Sequence, residues 1–305
     1  MTAPTVTARS QAAGPAPILR RIPASGEELP VVGLGTSQTF EVGASAQERE
    51  PLRLVLEAFF AGGGRLIDTS PMYSTAEQVL GDLLTPEMHA RAFLATKVWT
   101  RGARAGVGQM THSAQLLKTR RLDLIQVHNL LDLDTQLATL RDWKAAGSVR
   151  YVGITHYTVG AQPDLERVIR REQLDFVQLN YSPVTRQAER TLLPLAAERG
   201  VAVLVNRPFE DGEVFAKTRG KPLPAWAAEV DASSWGQLIL KFIASHPAVT
   251  CIIPATASVA HLRDNLAGGV GRLPDQRQRA EIAAALASVV ENGGASVAET
   301  DAALI

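Results

Sequence analysis

The chain has 305 residues with 31 basic and 31 acidic side chains, so its formal net charge at pH 7 is zero. With 46% hydrophobic and 20% charged residues, it has the composition of a soluble globular protein, long enough for one α/β barrel or two ordinary domains. The balanced charge argues against nucleic acid or an anionic membrane as partner, the apolar runs are too short for a transmembrane helix, and the single cysteine excludes a disulfide framework.

Eight short apolar segments recur along the chain, with starts roughly 25 to 35 residues apart before a longer last interval, which is the spacing of βαβ units. They lie at 31–36, 66–69, 93–98, 122–128, 149–155, 176–181, 201–206 and 249–254. Each is nearly continuous in apolar residues, which is typical of strands buried on both faces of a parallel sheet. Helical periodicity predicts helices between them at 52–60, 78–84, 134–146, 185–199 and 234–245, and an extra helix at 280–290.

Strands that alternate with helices in this way predict an α/β fold, a (β/α)8 TIM barrel. No Gly-x-Gly-x-x-Gly motif follows an early strand, so the pattern fits two Rossmann halves less well. A β-hairpin is predicted around Ser25 and Gly26, where it would close the barrel floor. The predicted organisation is a flexible tail at 1–17, a single barrel domain at 18–292 with the extra C-terminal helix, and a flexible tail at 293–305.

Four polar residues lie at the carboxyl ends of consecutive strands, the face on which barrel enzymes carry their active sites. Asp68, Lys97 and His128 end the second, third and fourth strands, and Tyr73 lies on the loop after the second. A lysine ammonium lowers a nearby tyrosine pKa toward neutrality, so Tyr73 can act as general acid toward a carbonyl oxygen. Asp68 keeps Lys97 charged, and His128 can hydrogen-bond the carbonyl. None of the four donates electrons, so a reduction requires a hydride cofactor.

Each of these residues alone also has a structural interpretation. A single Asp or Lys at a strand end is commonly part of a salt bridge, and a single His in an apolar strand is commonly a hydrogen-bonded core residue. Four such residues at one end of consecutive strands favour a functional site. No metal is expected, because no second His–carboxylate pair accompanies His128 and Asp68.

Motifs around these residues resemble those of the aldo-keto reductases over about residues 18 to 290. They are VGLGT at 32–36, LIDTSPMY at 66–73 followed by Glu77 and Gly81, TK at 96–97 and VH at 127–128. The resemblance implies NADPH as the hydride source, in preference to NADH, and a small-molecule carbonyl substrate. It implies that Tyr73 is the proton donor of a catalytic tetrad, Asp68, Tyr73, Lys97 and His128.

The same resemblance implies which residues contact the cofactor. Thr155, His156 and Gln178 match the positions that bind the nicotinamide carboxamide, and the segment 253–265 matches the one that binds the adenine and its 2′-phosphate. A phosphate at the start of the following helix also agrees with helix electrostatics. The implied set is Gly35, Thr36, Asp68, Thr155, His156, Gln178, Asn206, Arg207, Pro208, Phe209, Thr256, His261, Asp264 and Asn265.

Two departures from the family pattern lie close to the tetrad and the nicotinamide. Ser74 stands where the family has glycine after the tetrad tyrosine, and with Glu77 it forms a pattern that predicts a capping box for the next helix. Asn206 stands where the family has a stacking aromatic residue, which Phe209 or Tyr181 would replace. Arg207 would then bind the pyrophosphate, because guanidinium groups match phosphate oxygens.

A third departure concerns the 2′-phosphate. Alanine occupies positions 255 and 257, where many members of the family have a basic residue. The prediction of NADPH therefore depends on Thr256, His261 and Arg263.

The loops predict an open substrate pocket. The loop 99–106 is short and basic, the insert 210–232 is modest, and the segment after 290 contains no aromatic residue. Trp99 and Trp226 are each interpreted equally well as a pocket residue or as a packing residue. The predicted substrate is a small aldehyde, ketone or sugar-like carbonyl in a pocket lined by Met72, Trp99 and Asn129.

Three functions are consistent with the sequence. The first is NAD(P)H-dependent reduction of an aldehyde or ketone to an alcohol, and the second is an NADPH-binding barrel with a regulatory or redox-sensing role and little turnover. The third is a Schiff-base lyase that uses Lys97, which its pairing with Asp68 disfavours. The unpaired Cys251, the NADPH supply and the missing signal sequence predict a cytoplasmic location, whereas removal of an export signal would indicate the periplasm.

Overall fold

The predicted hairpin opens the fold in a computed structural model that describes residues 16–287. Its strands β1 (Leu19–Arg21) and β2 (Glu28–Pro30) pair antiparallel. Gly26 in the turn has a φ of 76°, a left-handed conformation that glycine adopts without steric cost. Pro17 forms an isolated antiparallel bridge with Val270. The rest of the two predicted tails, and the predicted end of the last helix at 290, lie outside the described residues.

All eight predicted barrel strands are present, and three of them have the predicted bounds. They are β3 (Leu34–Gly35), β4 (Leu66–Asp68), β5 (Phe93–Val98), β6 (Leu122–His128), β7 (Val149–Thr155), β8 (Phe176–Asn180), β9 (Ala202–Asn206) and β10 (Val249–Ile252). Neighbouring strands in this order pair in parallel. The first and last strands also meet, since Gly33 N–H donates to Ile252 O at 2.8 Å and Gly35 N–H to Pro254 O at 3.0 Å. The predicted (β/α)8 barrel is thereby confirmed.

The helices surround this barrel, and several differ from the prediction. They are α1 (Ala46–Ala61), α2 (Ala76–Leu83), α3 (Pro86–Arg91), α4 (Ala103–Leu116), α5 (Leu133–Ala145), α6 (Gln162–Arg171), α7 (Leu192–Arg199), α8 (Glu213–Thr218), α9 (Trp235–Ala244), α10 (Val259–Ala267) and α11 (Gln276–Ala287). Helix α1 begins earlier than predicted because Ser45 caps it by accepting a hydrogen bond from Glu48 N–H. The predicted loop 99–106 is loop only to 102, since α4 begins at Ala103. Within residues 16–287, no helix is both long enough and apolar enough to cross a bilayer.

The barrel interior has two layers. An apolar floor lies at the beginnings of the strands, and a polar mouth lies at their carboxyl ends. The floor packs Leu66, Phe93, Leu124, Tyr151 and Phe176 against Ile22 and Leu29 of the hairpin, all buried. Side chains two or four positions further along a strand point to the same side, nearer the carboxyl end. On β4, β5 and β6 those positions hold the polar residues Asp68, Lys97, Gln126 and His128. The sequence therefore places its chemistry directly above an apolar layer.

Candidate active site

The four predicted catalytic residues come together at the mouth. The Lys97 ammonium donates to Asp68 Oδ2 at 2.7 Å and to the Thr69 carbonyl oxygen at 2.8 Å. The same ammonium lies 4.9 Å from the centroid of the Tyr73 ring. Lys97 and Asp68 are 1% and 2% exposed, so this ion pair is shielded from water. The strand-end positions thus produce one contiguous Asp–Lys–Tyr contact.

The charges of this contact set the proton state of Tyr73. Burial raises the pKa of Tyr73, and the Lys97 ammonium opposes that effect without cancelling it. The predicted lowering of this pKa toward neutrality is therefore wrong, because its net shift is upward. Burial also lowers the pKa of Lys97, but Asp68 and Tyr73 outweigh burial and leave it raised. At neutral pH the site combines a protonated phenol with a charged ammonium.

His128 is neutral in this environment. Burial lowers its pKa to about 3, and the charges of Lys97 and His156 add to the effect. Its Nδ1 atom is buried and has no hydrogen-bond partner among the described residues. The ring lies 6.5 Å from the ring of Trp99 between centroids. A neutral imidazole can donate one hydrogen bond to a carbonyl oxygen without adding charge.

A network of amide side chains holds Asp68 from the side opposite Lys97. Asp68 Oδ1 accepts hydrogen bonds from Gln178 Nε2 at 2.8 Å and from Gln126 Nε2 at 3.3 Å. Gln178 Oε1 in turn accepts from Thr155 Oγ1 at 3.1 Å and from Asn206 Nδ2 at 3.2 Å. The sequence analysis missed Gln126, although it lies two positions before His128 on β6 and so on the same side of the strand. These bonds fix the orientation of the Asp68 carboxylate.

The first two predicted cofactor positions are Gly35, at the end of β3, and Thr36, which follows it. The Thr36 hydroxyl donates to the Asp68 carbonyl oxygen at 3.0 Å. A Cβ on Gly35 would lie 2.7 Å from the Ile253 carbonyl oxygen, so glycine allows the two segments to approach. His156 stacks on Tyr157, with 5.6 Å between ring centroids and 17° between planes. These residues surround the mouth next to the tetrad.

The loop after β9 contains the predicted pyrophosphate residues. Arg207 has a φ of 47°, and its guanidinium donates to Asp211 Oδ1 at 3.3 Å and Oδ2 at 2.5 Å. The guanidinium carbon also lies 5.9 Å from the centroid of the Tyr157 ring. Pro208 is buried, and the ring of Phe209 packs 4.8 Å from that of Phe215. A phosphate that binds Arg207 would therefore have to compete with the carboxylate of Asp211.

The predicted 2′-phosphate segment leads into α10. Ser258 caps this helix by accepting a hydrogen bond from His261 N–H, and Thr256 is buried beside it. Arg263 is exposed and forms no ion pair within residues 16–287, which leaves its charge free for an anion. Asp264 instead accepts hydrogen bonds from Ser234, the N-cap residue of α9, and from Gln237 of that helix, and Asn265 is buried. Arg263 and the helix start are the groups here that fit a phosphate.

The capping-box prediction for Ser74 and Glu77 is wrong. Thr75, not Ser74, precedes α2, and no side chain caps that helix. Glu77 is buried, where its carboxylate accepts hydrogen bonds from Thr96 Oγ1 at 2.5 Å and Ser113 Oγ at 2.9 Å. Ser74 has a φ of 42°, so it occupies the left-handed region that glycine adopts most easily. This conformation gives a physical reason for the glycine that resembling sequences have at this position.

The three predicted pocket residues lie on the loops after β4, β5 and β6. Met72 is 39% exposed. Trp99 is half-buried beside His128. Asn129 has a φ of 51°, and its Oδ1 atom is buried without a partner among the described residues. Trp226 packs against the outer core between barrel and helices, which favours the packing interpretation.

The fold agrees with what comparisons with known proteins find. The model of the Aldo/keto reductase family matches residues 31–286. The match covers most of the chain, so the chain belongs to the aldo/keto reductase family.

Individual relatives are distant. The chain is 24% identical over 247 residues to the methylglyoxal reductase DkgB of Yersinia pestis, a match covering 78% of this chain and 86% of that protein. It is 26% identical over 186 residues to the NADH-specific methylglyoxal reductase of Escherichia coli, covering 52% of this chain and 56% of that protein. The crystal structure of an aldo/keto reductase from Klebsiella pneumoniae with NADP and acetate superposes with a TM-score of 0.72 at 23% identity, covering 84% and 91% of the two chains.

Proposed function

We propose that this protein reduces a small aldehyde or ketone to an alcohol, with hydride from NADPH and a proton from Tyr73. The observation that carries the proposal is the buried Lys97 ammonium, which contacts both the Asp68 carboxylate and the Tyr73 ring. Membership of the aldo/keto reductase family supports carbonyl reduction in general. The relatives named as methylglyoxal reductases favour a small carbonyl as substrate.

The residues at the mouth fit a nicotinamide dinucleotide. Asn206 Oδ1 is buried and unpartnered within the described residues, which suits a hydrogen bond from a carboxamide N–H. Thr155, Gln178 and Asn206 would hold the nicotinamide end, and Arg207 and Arg263 would bind the phosphates. When bound, NADPH supplies the hydride. The NADP in the structure from Klebsiella pneumoniae supports this cofactor, although the relative from Escherichia coli is named NADH-specific.

The chain's own residues would handle the proton and the carbonyl oxygen. Tyr73 keeps its proton at neutral pH because burial raises its pKa, so it has a proton to donate. The Lys97 ammonium stabilises the phenolate that remains after the transfer. Neutral His128 would donate a hydrogen bond to the same oxygen and orient it. Asp68 keeps Lys97 charged throughout.

The lyase alternative is not favoured by this geometry. A Schiff base requires a neutral lysine amine, whereas the pKa of Lys97 is raised by Asp68 and Tyr73 against the effect of burial. Within residues 16–287, no contact favours a purely regulatory barrel over an enzyme. A cytoplasmic location is part of the proposal, because Cys251 is unpaired and the reaction requires NADPH.

Replacement of Tyr73 by phenylalanine tests the proposal. We expect Tyr73→Phe to lower kcat/KM for 4-nitrobenzaldehyde with NADPH by roughly a hundred- to ten-thousand-fold, because the general acid is lost. The measurement is the decrease in NADPH absorbance. The Kd of NADPH, measured by fluorescence quenching, should remain unchanged, and NADPH should bind more tightly than NADH.

The matched control is Tyr151→Phe, which removes a phenol from the floor and not from the mouth. It should leave turnover unchanged. Turnover by Tyr73→Phe at the wild-type rate would refute Tyr73 as proton donor. A wild-type protein that binds NADPH but reduces no carbonyl in a broad panel would refute the enzyme itself.

A further inference from the structure

The loop that carries Trp99 has no regular structure of its own. It spans residues 99–102 between β5 and α4. Trp99 is the first residue after β5, the strand that carries Lys97. Its indole ring lies 6.5 Å from the ring of His128. This loop therefore places a large flat surface beside the predicted carbonyl position.

A single amide holds both backbone groups of Trp99. Trp99 N–H donates to Gln109 Oε1 at 2.6 Å, and Gln109 Nε2 donates to the Trp99 carbonyl oxygen at 3.3 Å. Gln109 lies on α4, and the next residue, Met110, is fully buried and anchors that helix in the core. The glutamine thereby reproduces the paired hydrogen bonds of a neighbouring strand.

The rest of the loop is held from α5. Gln136 Nε2 donates to the carbonyl oxygens of Thr100 at 3.1 Å and Gly102 at 3.3 Å. A Cβ on Gly106 would lie only 2.1 Å from Gln136 Oε1, so the glycine leaves the room that Gln136 needs. Gly102 N–H donates to Asp132 Oδ2 at 2.6 Å. Because side chains satisfy these backbone groups, the loop is ordered without a ladder of its own.

We propose that Gln109 is a positioning residue that sets substrate selectivity by holding Trp99 beside His128. The substrates it favours are carbonyls that carry a flat apolar group, such as aryl aldehydes, because an aryl ring can pack on the indole. Gln109 itself contacts the backbone of Trp99 and not the reacting atoms. The kinetic test of this inference depends on the proposed carbonyl reduction. Its fluorescence test does not require turnover.

The physical reason lies in preorganisation. Without the Gln109 amide, both backbone groups of Trp99 lose their partners, and the ring is no longer fixed against His128. Ordering that side chain would then have to occur on substrate binding, at a cost in conformational entropy. A small aliphatic aldehyde makes little contact with the ring, so it should be much less affected.

The experiment compares Gln109→Leu with Gln115→Leu, which replaces an exposed glutamine on the same helix. We expect Gln109→Leu to lower kcat/KM for 4-nitrobenzaldehyde roughly ten- to a hundredfold, mainly through KM, because misplacement of a binding surface by about 1 Å has effects of this order. The kcat/KM for propanal should change less than about twofold. The Kd of NADPH for Gln109→Leu should equal that of the wild type. Gln115→Leu should keep the wild-type kcat/KM for both aldehydes.

A Trp99→Ala background separates positioning from general structure. In that background, Gln109→Leu should not change the ratio of kcat/KM for 4-nitrobenzaldehyde to kcat/KM for propanal. Two results would overturn the proposal. One is an equal loss of kcat/KM for both aldehydes in Gln109→Leu, and the other is a change of the ratio that is as large in the Trp99→Ala background as in the wild-type background.

Tryptophan fluorescence tests the same contact without turnover. The difference between a protein and its Trp99→Phe form isolates the emission of Trp99, and acrylamide should quench that emission more strongly in Gln109→Leu. Unchanged quenching would overturn the proposed positioning. A wild-type protein that reduces no aldehyde would refute the proposed function, while the quenching result would still decide the role of Gln109.

Discussion

The floor and the mouth of this barrel are consecutive layers of the same strands, yet their side chains differ in kind. On β5, Phe93 belongs to the floor, where it stacks on Tyr151 with 5.7 Å between ring centroids, and Lys97 four residues later belongs to the mouth. On β6, Leu124 is followed by Gln126 and His128 on the same side of the strand. The strand pattern thus builds two opposite environments only a few residues apart.

The difference teaches where stability and chemistry reside in the molecule. Burial of apolar rings at the floor stabilises the fold by roughly 25 cal/mol per Å² of apolar surface. At the mouth, burial of the Lys97–Asp68 pair costs desolvation, which the attraction between the two charges has to offset. His128 Nδ1 and Asn206 Oδ1 even remain without partners within residues 16–287. The mouth is therefore less favourable to bury than the floor, as expected for a binding site.

The largest expected effect comes from breaking the charge pair of the mouth. Lys97→Met should lower the free energy of unfolding by about 3 to 5 kcal/mol, because it leaves the buried Asp68 carboxylate without its cation. Carbonyl reduction should also be lost. Urea unfolding followed by circular dichroism measures the first effect, and NADPH consumption the second.

The double variant Lys97→Met/Asp68→Asn sharpens the result, because an asparagine oxygen can still accept the hydrogen bonds of Gln178 and Gln126. It removes both charges, so most of the lost stability should return while activity stays absent. Arg277→Met serves as the control, because it breaks an exposed pair with Glu281 and should leave unfolding nearly unchanged. If the single and double variants unfold at the same urea concentration, the unpaired Asp68 carboxylate is not the cause of the lost stability.

The next effect is a pH dependence that belongs to the mouth. The folded-state pKa of His128 is lowered from 6.5 to about 3, mainly by burial. As pH falls below 6.5, the unfolded chain binds a proton at this residue that the folded chain does not bind. Stability should therefore decrease as pH falls from 6.5 toward 3, by at most about 1.4 kcal/mol per pH unit from this residue.

The substitution His128→Gln should remove this contribution and flatten the slope of stability against pH in mildly acidic buffer. Urea unfolding at several pH values between neutral and mildly acidic measures it. His112→Gln is the matched control, since its ring is exposed on α4 and remains in water in both states. Equal slopes for wild type and His128→Gln would contradict the assignment.

The strands and the tetrad were predictable because each has a local signal. Continuous apolar runs gave β5, β6 and β7 their correct bounds, and a charged or titratable residue at the end of such a run marked the mouth. Helix α4 was missed because few of its residues are buried, among them Gly106, Met110 and Ser113, so no apolar stripe reveals it. Ser74 was misinterpreted because a four-residue pattern cannot indicate backbone conformation.

The supporting contacts were not predictable because their partners are distant in sequence or are backbone groups. Gln178 and Gln126 lie 110 and 58 positions from Asp68, and neutral amides leave no charge pattern. Gln109 binds only the peptide groups of Trp99, which no side-chain motif encodes. The net shift of the Tyr73 pKa likewise depends on burial, which the spacing of Tyr73 and Lys97 does not specify.

The smallest expected effect tests the floor alone. The Tyr151 hydroxyl lies 3.0 Å from Glu27 Oε2 and 2.7 Å from Ser25 Oγ, which ties β7 to the hairpin. Tyr151→Phe keeps the ring but removes this link, so the free energy of unfolding should fall by about 1 to 2 kcal/mol. Turnover and the Kd of NADPH should be unchanged, because the Tyr151 hydroxyl bonds residues of the hairpin and not the tetrad. A Tyr151→Phe protein with wild-type stability but altered turnover would show that the two layers are coupled, and that the separation of floor from mouth is wrong.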